Sequence, residues 1–495
     1  MGIIQTQTIK GSIFSYTGVL LGFLTTGLLF PHWFSLEENG VIKLLAANAA
    51  IFGQLATLGF TSITTRLFTY FRDKQTKHHG FLGLGIAVSL IGSMLAVGVY
   101  FLLKDWLLLG NSEADSLMLN RYIDLVIPLI VATVFFHLFD NYYKVLYNAV
   151  KGTLYKEVYQ RIFILLSLFL FFFDIVDFKG FVWLYVFSVS LPSLMLMLSL
   201  LLEGELGMKP DTAFLTPNMQ RDILNVGLFG IILGFSNIAI LNIDSIMVNK
   251  YLGLSETGIY GITFFFGTLV IIPSRMVKKI SAALLADAWK DRDMSLIQSI
   301  YTKSSINQLI LGALILIGIW GNIENIFHIL PDRFLPGRYI ILLIALSNLI
   351  EMGAGVSGTI ISISPHYRYM SHFMIVLLVL VVISNMIFIP LLGLIGAALA
   401  SLISYFVFVL LRFLFLLKKY NMQPFSLNHL KVLGIALLTY FLQRLIPELS
   451  PFVLDIAVRS AAMILIYAGL CAQFRVSEEY MNNVEKILKL LKGKR

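Results

Sequence analysis

Long apolar runs separated by short polar segments recur along the whole chain. Runs of about 18 to 25 residues are long enough to cross the apolar core of a bilayer, about 30 Å thick, as helices. The pattern predicts fourteen spans, at 12–34, 41–64, 81–103, 121–143, 160–174, 180–202, 222–247, 256–279, 303–321, 338–363, 371–390, 393–417, 428–446 and 452–472. The first run is too long for the apolar part of a signal peptide, so we count it as a helix.

Positive charge is distributed unequally between the two sets of loops that alternate along these spans. About three quarters of the 37 Lys and Arg residues fall in the set that includes both termini. Because Lys and Arg concentrate on the cytoplasmic side of membrane proteins, both termini are expected to be cytoplasmic. This topology also accounts for the net charge of +9 without a nucleic-acid partner.

The composition agrees with an all-α polytopic membrane protein. Apolar residues make up 58% of the chain and charged residues only 13%, too few for a soluble globular protein of this length. Cys471 is the only cysteine, which excludes an intramolecular disulfide and a cluster of thiolate metal ligands. No P-loop, HExxH or GxSxG motif occurs, so we expect no metal, no cofactor and no catalytic residues.

An internal repeat relates the turn SLEENGVIKLL to the turn GLSETGIYGI. Three positions match at a displacement of 218 residues: Leu36 with Leu254, Glu38 with Glu256, and Gly40 with Gly258. Six spans separate the copies, and an even number keeps both in the same orientation, so the repeat is parallel.

The repeat sets the expected domains. They are an N-terminal lobe of spans one to six (1–202), a cytoplasmic connector (203–221), a C-terminal lobe of spans seven to twelve (222–418), and a C-terminal part (419–495) with spans thirteen and fourteen and an amphipathic tail.

Glu351 is the ionisable residue placed deepest in a predicted span. Asn348 lies one turn before it, and Gly355 and Gly358 continue the same helix face. Charged groups are costly at this depth, so Glu351 needs a partner or water. It is either a protonated glutamate bonded across a close helix contact, or a carboxylate in a wet cavity that binds a coupling ion.

The stretch HLFDNYYK brings His137, Asp140, Asn141 and Lys144 to the inner end of span four. One interpretation is an interfacial anchor in which Asp140 and Lys144 pair four residues apart. It explains His137 poorly, so the alternative is the lining of an inner cavity.

Other polar residues in or next to spans allow two interpretations each. Asn237 and Asp244 share a face of span seven, where Asp244 is either functional or solvated near the outer end. Arg275 follows Pro273 in span eight and either snorkels to the inner interface or serves function. Arg66 lies near the inner end of span two.

Two spacings predict helix packing. The pairs Gly18–Gly22 and Gly230–Gly234 have the GxxxG spacing of closely packed membrane helices. Asp455 and Arg459, four residues apart on span fourteen, are expected to neutralise each other.

The run NMIFIPLLGLIGAALASLISY (385–405), the E-x-G turns opening spans two and eight, and the two six-helix halves carry a family resemblance. Residues 9–417 resemble the polysaccharide transporter branch of the multidrug/oligosaccharidyl-lipid/polysaccharide exporter superfamily. Fourteen spans fit this branch better than the twelve of the drug exporters.

The resemblance implies a flippase of the bacterial inner membrane that moves polyprenyl-diphosphate-linked oligosaccharide outward by alternating access, for cell-surface polysaccharides such as O-antigen and lipopolysaccharide. Substrate contacts are expected from Arg66, His137, Asn141, Lys144, Asn237 and Arg275. Coupling to a proton or sodium ion is expected from Glu351, then Asp140, Asn348 and Asp244. Expected partners are membrane lipids and other glycan-assembly proteins. The alternatives are an ion-coupled drug or small-molecule antiporter of the same fold, and a membrane glycan polymerase or ligase.

Overall fold

The computed structural model describes residues 3–108, 113–207, 209–211 and 214–482, and every regular element in those ranges is a helix. The protein divides into two compact units, residues 1–262 and 263–495. The amphipathic tail predicted beyond residue 482 lies outside the described residues, and the lobe boundaries at 202 and 222 remain a prediction.

Among its described residues, the first unit holds eleven α-helices and most of a twelfth. They are α1 (Ile3–Gly22), α2 (Phe30–Trp33), α3 (Leu36–Ala56), α4 (Phe60–Phe71), α5 (Phe81–Leu108), α6 (Glu113–Tyr122), α7 (Val126–Val145), α8 (Val150–Leu154), α9 (Gln160–Phe172), α10 (Phe178–Leu202), α11 (Pro217–Leu252) and α12 (Leu254–Thr268).

The second unit begins in the last turns of α12. It holds α13 (Ile272–Lys290), α14 (Met294–Gly321), α15 (Ile323–Ile329), α16 (Arg338–Gly353), α17 (Ser357–Ile363), α18 (Arg368–Leu392), α19 (Leu394–Tyr420), α20 (Leu427–Gln443) and α21 (Phe452–Gln473). Helices α20 and α21 pack on each other and on α14.

Each of the fourteen predicted spans falls on helix. Among the described residues, eleven helical stretches are long and apolar enough to cross a membrane, and α3 with α4, bent by 41°, forms a twelfth. The two remaining spans coincide with α9, which continues from α8 through a π turn, and with the 17-residue α20. The prediction of an all-α, multi-pass membrane protein is confirmed.

The bend between α3 and α4 has a local cause that hydropathy did not reveal. Leu58 and Gly59 both have left-handed backbone angles, which end the α-helical hydrogen bonding. A Cβ at Gly59 would collide with the carbonyl oxygen of Gly227, so only glycine permits this approach of α4 to α11.

The two repeated turns lie against each other within the first unit. A Cβ at Gly40 would collide with the carbonyl oxygen of Leu254, and a Cβ at Gly258 would collide with that of Leu36. The contact is reciprocal between equivalent positions, as expected where two copies meet about a two-fold axis. The Ser255 hydroxyl also donates a hydrogen bond to the Glu37 carboxylate.

The predicted packing at Gly18 and Gly22 takes an unexpected form. The space that side chains there would fill holds Glu157 and Arg161, which form an ion pair at 3.2 Å. Glu157 lies in the π turn Tyr155–Tyr159, and π turns are frequent at functional sites. The glycines of α1 therefore accommodate this ion pair and, at Gly18, also the Glu157 carbonyl oxygen, which lies 3.0 Å from where a Cβ would stand.

The charged loop 291–293 connects α13 to α14. Asp293 is the N-cap of α14, and its carboxylate accepts hydrogen bonds from the Leu296 N–H at 2.9 Å and the Ser295 hydroxyl at 2.7 Å. These bonds stabilise the charged form and lower the pKa of Asp293.

Candidate functional site

A charged cluster joins three helices in the second unit. Glu351 on α16 receives the Lys278 ammonium of α13 at 2.8 Å and both terminal nitrogens of Arg412 from α19. Glu351 and Arg412 are buried, at 7% and 2% exposure, whereas the Lys278 side chain is 34% exposed. Glu351 thus contacts neighbouring helices, but through two cations rather than as the protonated glutamate of the first interpretation, and its coupling role remains a prediction.

Glycines near Glu351 make room for this cluster. α16 ends at Gly353, and Gly355, with φ +57°, turns the chain into α17. A Cβ at Gly358 would lie 2.8 Å from an Arg412 nitrogen, so Gly358 leaves space for the guanidinium group. Arg412 also lies 4.2 Å from the centre of the Phe408 ring, a favourable cation–π distance.

Sequence reasoning missed both cations of this cluster. Arg412 is the only charged residue in the run SLISYFVFVLLRFLFLL, and an isolated cation in an apolar span is a signal that could have found it. Lys278 lies about one turn after Arg275, which we expected to be functional. Arg275 is exposed on α13 and makes no ion pair among the described residues.

A second cluster forms at the end of α7 in the first unit. Lys144 pairs with the buried Asp140 at 2.5 Å, and the Asn141 amide donates to the His137 carbonyl at 2.7 Å. A Cβ at Gly152 would overlap an Asp140 carboxylate oxygen, so α8 packs directly on this pair. The structure thus brings together the four residues singled out from HLFDNYYK.

Lys156 adds an excess positive charge beside this cluster. Its ammonium lies 4.7 Å from the centre of the Phe136 ring, and both Lys156 and Lys144 act electrostatically on His137. Lys156 is exposed, and within the described part of the chain it forms no ion pair. A half-exposed Lys144, an exposed Lys156 and His137 together can bind a multivalent anion.

Asp244 belongs to a third polar group in the first unit. It is 3% exposed rather than solvated, and it accepts a hydrogen bond from the Tyr260 hydroxyl at 3.0 Å. Lys43 interacts electrostatically with Asp244 and, with Asn39, lines a cavity of 150 Å³.

The remaining predicted residues lie apart from these groups. Asn348 donates hydrogen bonds to the carbonyls of Gly267 at 3.2 Å and Ile344 at 3.0 Å, which makes it a helix-packing residue in this conformation. Arg66 and Asn237 are exposed on α4 and α11. The assignment of substrate and coupling roles to all of these residues remains a prediction.

An apolar groove of 730 Å³ opens among α14, α16, α19 and α20 of the second unit. Its lining is almost entirely hydrocarbon, including Leu349, Phe406, Phe413, Leu430 and Leu433. Among the described residues, no group of three His, Cys, Asp or Glu side chains could hold a metal ion.

No family profile and no curated protein matches the sequence. Solved structures do match the fold. The lipid II flippase MurJ, in an inward closed conformation, superposes with a TM-score of 0.77 at 15% identity, over 94% of this chain and 98% of its own.

Transporters of the multidrug resistance MATE family of the MOP superfamily match less extensively. An inward-facing structure has a TM-score of 0.65 at 15% identity and covers 80% of this chain and 93% of its own. An outward-facing one has a TM-score of 0.55 at 14% identity, with coverages of 83% and 94%. The chain therefore has the fold that MurJ shares with the MATE transporters.

Proposed function

We propose that the protein is a flippase that moves polyprenyl-diphosphate-linked oligosaccharide from the inner to the outer leaflet of a bacterial inner membrane by alternating access. The termini are cytoplasmic in this proposal, and the glycan serves cell-surface polysaccharides such as O-antigen or lipopolysaccharide. Its substrate is the lipid-linked glycan, and membrane lipids and glycan-assembly proteins are its partners.

The observation that carries the proposal is the extent of the likeness to MurJ, a lipid II flippase. MurJ matches 94% of this chain, and the unmatched residues are fewer than those in the segment from α20 onward. At least part of this C-terminal segment is therefore matched in MurJ as well. The MATE structures leave about a fifth of the chain unmatched. The groove beside α20 supports the same substrate, because a polyprenyl tail needs an apolar surface and the groove offers one.

The diphosphate of such a substrate needs cations at the entry side. The charge bias places the end of α7 near the cytoplasmic boundary, where Lys144, Lys156 and His137 lie together. Lys156 is exposed and makes no direct ion pair among the described residues, since Asp140 and Glu157 act on it from beyond ion-pair distance, so its ammonium is available to a phosphate. Arg66 in the first unit and Arg275 in the second, both exposed, are further substrate-binding residues in the proposal.

Coupling is assigned to Glu351. In this conformation the carboxylate is held by Arg412 and Lys278. In the proposed cycle, Glu351 exchanges these protein cations for a proton or sodium ion when the helices rearrange, so the driving gradient biases one conformation over the other.

The test is transport in proteoliposomes. A fluorescent polyprenyl-diphosphate glycan is incorporated, and its arrival in the opposite leaflet is measured with an impermeant quencher under an imposed proton or sodium gradient. We expect gradient-dependent movement, slowed by Lys156→Gln and no longer accelerated by the gradient in Glu351→Gln. Glu479→Gln is the matched control, because that carboxylate is half-exposed at the 4.0 Å pair with Lys303.

Movement no faster than in protein-free vesicles would contradict the flippase. An unchanged response of Glu351→Gln to the gradient would contradict the coupling role alone.

The likeness to MATE transporters favours an ion-coupled drug antiporter as the second candidate. That function predicts restored drug resistance in an exporter-deleted strain, without any movement of the labelled glycan lipid.

A further inference from the structure

A polar cavity of 440 Å³ lies in the C-terminal part of the second unit, away from the Glu351 cluster. It is enclosed by the end of α14, by α15, by the end of α20 and by the start of α21. The volume is within the range of about 300–1,000 Å³ that small-molecule sites occupy. The charge bias of the loops places these helix ends on the outer side of the membrane.

The floor of the cavity is a closed network around the ion pair predicted from the sequence. Arg459 donates to Asp455 at 2.8 and 2.9 Å and to the side-chain oxygen of Gln443 at 2.9 Å. Asn325 completes the network with a hydrogen bond of 2.5 Å to Asp455. All four residues are at most 8% exposed. Buried polar groups that satisfy one another hold a fixed geometry, so this floor is preformed.

Aromatic rings stand around this floor. Trp320, Tyr440 and Phe452 line the cavity, and the Phe452 ring is 41% exposed. His328 lies 6.5 Å from Phe452, between ring centres. Exposing the apolar faces of aromatic rings to water at the rim of a cavity is unfavourable unless a ligand covers them.

Polar side chains that make no hydrogen bond or ion pair with another side chain among the described residues face the same space. Glu448 and His328 are exposed and form no hydrogen bond or ion pair within the described ranges. The Arg444 guanidinium lies over the face of Tyr440, at 5.3 Å from the ring centre. These groups offer acceptors and donors in several directions, which matches the hydroxyl groups of a sugar.

The charge balance distinguishes between parts of a lipid-linked glycan. The lining carries three carboxylates, those of Glu324, Glu448 and Asp455, against the guanidinium groups of Arg444 and Arg459. Arg338 pairs with Glu324 and Arg459 pairs with Asp455, so the lining offers no excess positive charge to a diphosphate, which an uncharged pyranose does not need. A pyranose ring also has an apolar C–H face for the aromatic rings and a hydroxyl edge for the polar groups.

We propose that this cavity binds an uncharged pyranose unit of a glycan on the outer side of the membrane. The inference deepens the proposed function, on which its biological meaning rests, by giving the glycan a receiving site separate from the cationic entry cluster. Phe452 and Trp320 provide the stacking surface, and Glu448 accepts hydrogen bonds from ring hydroxyls.

The test uses the purified protein in lipid nanodiscs and free sugars as probes. Glucose, galactose and N-acetylglucosamine are titrated while tryptophan fluorescence, to which Trp320 contributes, is recorded. Saturation-transfer NMR gives a second readout. Mannitol, which has hydroxyls but no ring, and inorganic pyrophosphate are the comparison probes. We expect saturable binding of at least one pyranose and of neither comparison probe.

Variants then locate the binding. Phe452→Ala is expected to weaken binding about two- to twelvefold, since a stacking contact contributes about 0.5–1.5 kcal/mol, and Glu448→Gln to weaken it several-fold. Phe474→Ala removes a similarly exposed ring from beyond the other end of α21 and should leave binding unchanged. Absence of saturable binding by both readouts, binding of pyrophosphate alone, or full affinity in both cavity variants would overturn the proposal.

This outcome is independent of the transport assay. Sugar binding without glycan-lipid movement would retain the cavity and reject the flippase. Movement without sugar binding would reject the cavity alone.

Discussion

Neutralising Glu351 should destabilise the second unit strongly, because it leaves a buried guanidinium group without its counter-ion. The Glu351→Gln substitution keeps the shape of the side chain and removes its charge. Arg412 then remains at 2% exposure with no carboxylate among the described residues to replace Glu351. Lys278, at 34% side-chain exposure, can turn its ammonium towards water.

The contact geometry gives the magnitude. At an effective dielectric constant of about 20, two unit charges 3.3 Å apart, the longer Arg412–Glu351 contact, attract by about 5 kcal/mol before desolvation is subtracted. Breaking a buried pair from one side costs about 3–5 kcal/mol. We therefore expect losses of this size for Glu351→Gln and for Arg412→Met, and of about 1 kcal/mol or less for Lys278→Met. The double variant Glu351→Gln/Arg412→Met should recover most of the loss, because no uncompensated charge stays buried.

The single cysteine provides the assay. Cys471 is buried in α21, so a maleimide dye that fluoresces on reaction with a thiol reports unfolding of the detergent-solubilised protein. Thermal midpoints rank the variants, and denaturant titration gives the free energies of unfolding. The reasoning is refuted if Arg412→Met costs no more than Lys278→Met, or if the double variant is less stable than either single variant.

Three further expectations follow from packing and capping. Gly258→Val should force the repeated turns apart and reduce glycan-lipid movement. The control Gly434→Val, at a position with open space around it, should leave this movement unchanged. Equal transport by the two variants would contradict a role for the contact between the repeated turns. Gly152→Ala should displace the Asp140 carboxylate and lower the free energy of unfolding by about 1–3 kcal/mol, and an unchanged thermal midpoint would show that α8 adjusts without cost. Hydrogen bonds from the first turn of α14 hold the pKa of Asp293 in the folded protein below 3.8, so the capping carboxylate stabilises the fold above that pH and stops doing so as the pH falls through this lowered pKa. Between pH 7 and pH 3, Asp293→Asn should therefore lose less free energy of unfolding than the wild-type protein. Parallel losses in the two proteins would refute the cap.

The charged clusters show how far sequence reasoning reached at the candidate site. His137, Asp140, Asn141 and Lys144 were found because their contacts are within one helix, where a spacing of four residues implies proximity. Glu351 was found because a carboxylate in the middle of an apolar span is conspicuous. Its partner Arg412 lies 61 residues away, and no local pattern relates the two.

The glycines show the same division. The E-x-G turns predicted a duplication, but only the fold reveals that Gly40 and Gly258 each face the opposite copy. The GxxxG spacing at Gly18 predicted packing, but not that an ion pair between the π turn and α9 would occupy the space. A glycine in such a motif indicates a close contact, but it does not identify the group that makes the contact.

The sequence by itself determined that the helices lie in a membrane, that the fold is all-α, and where the spans are. The reason is that a bilayer imposes a minimum apolar length on each span independently of the others. Tertiary structure decided which helix bends at Gly59, which cations neutralise Glu351, and that the appended helices enclose a polar cavity. These features depend on contacts between residues far apart in the chain. The free energy of such contacts arises only when helices pack, so it leaves no periodic trace along the sequence.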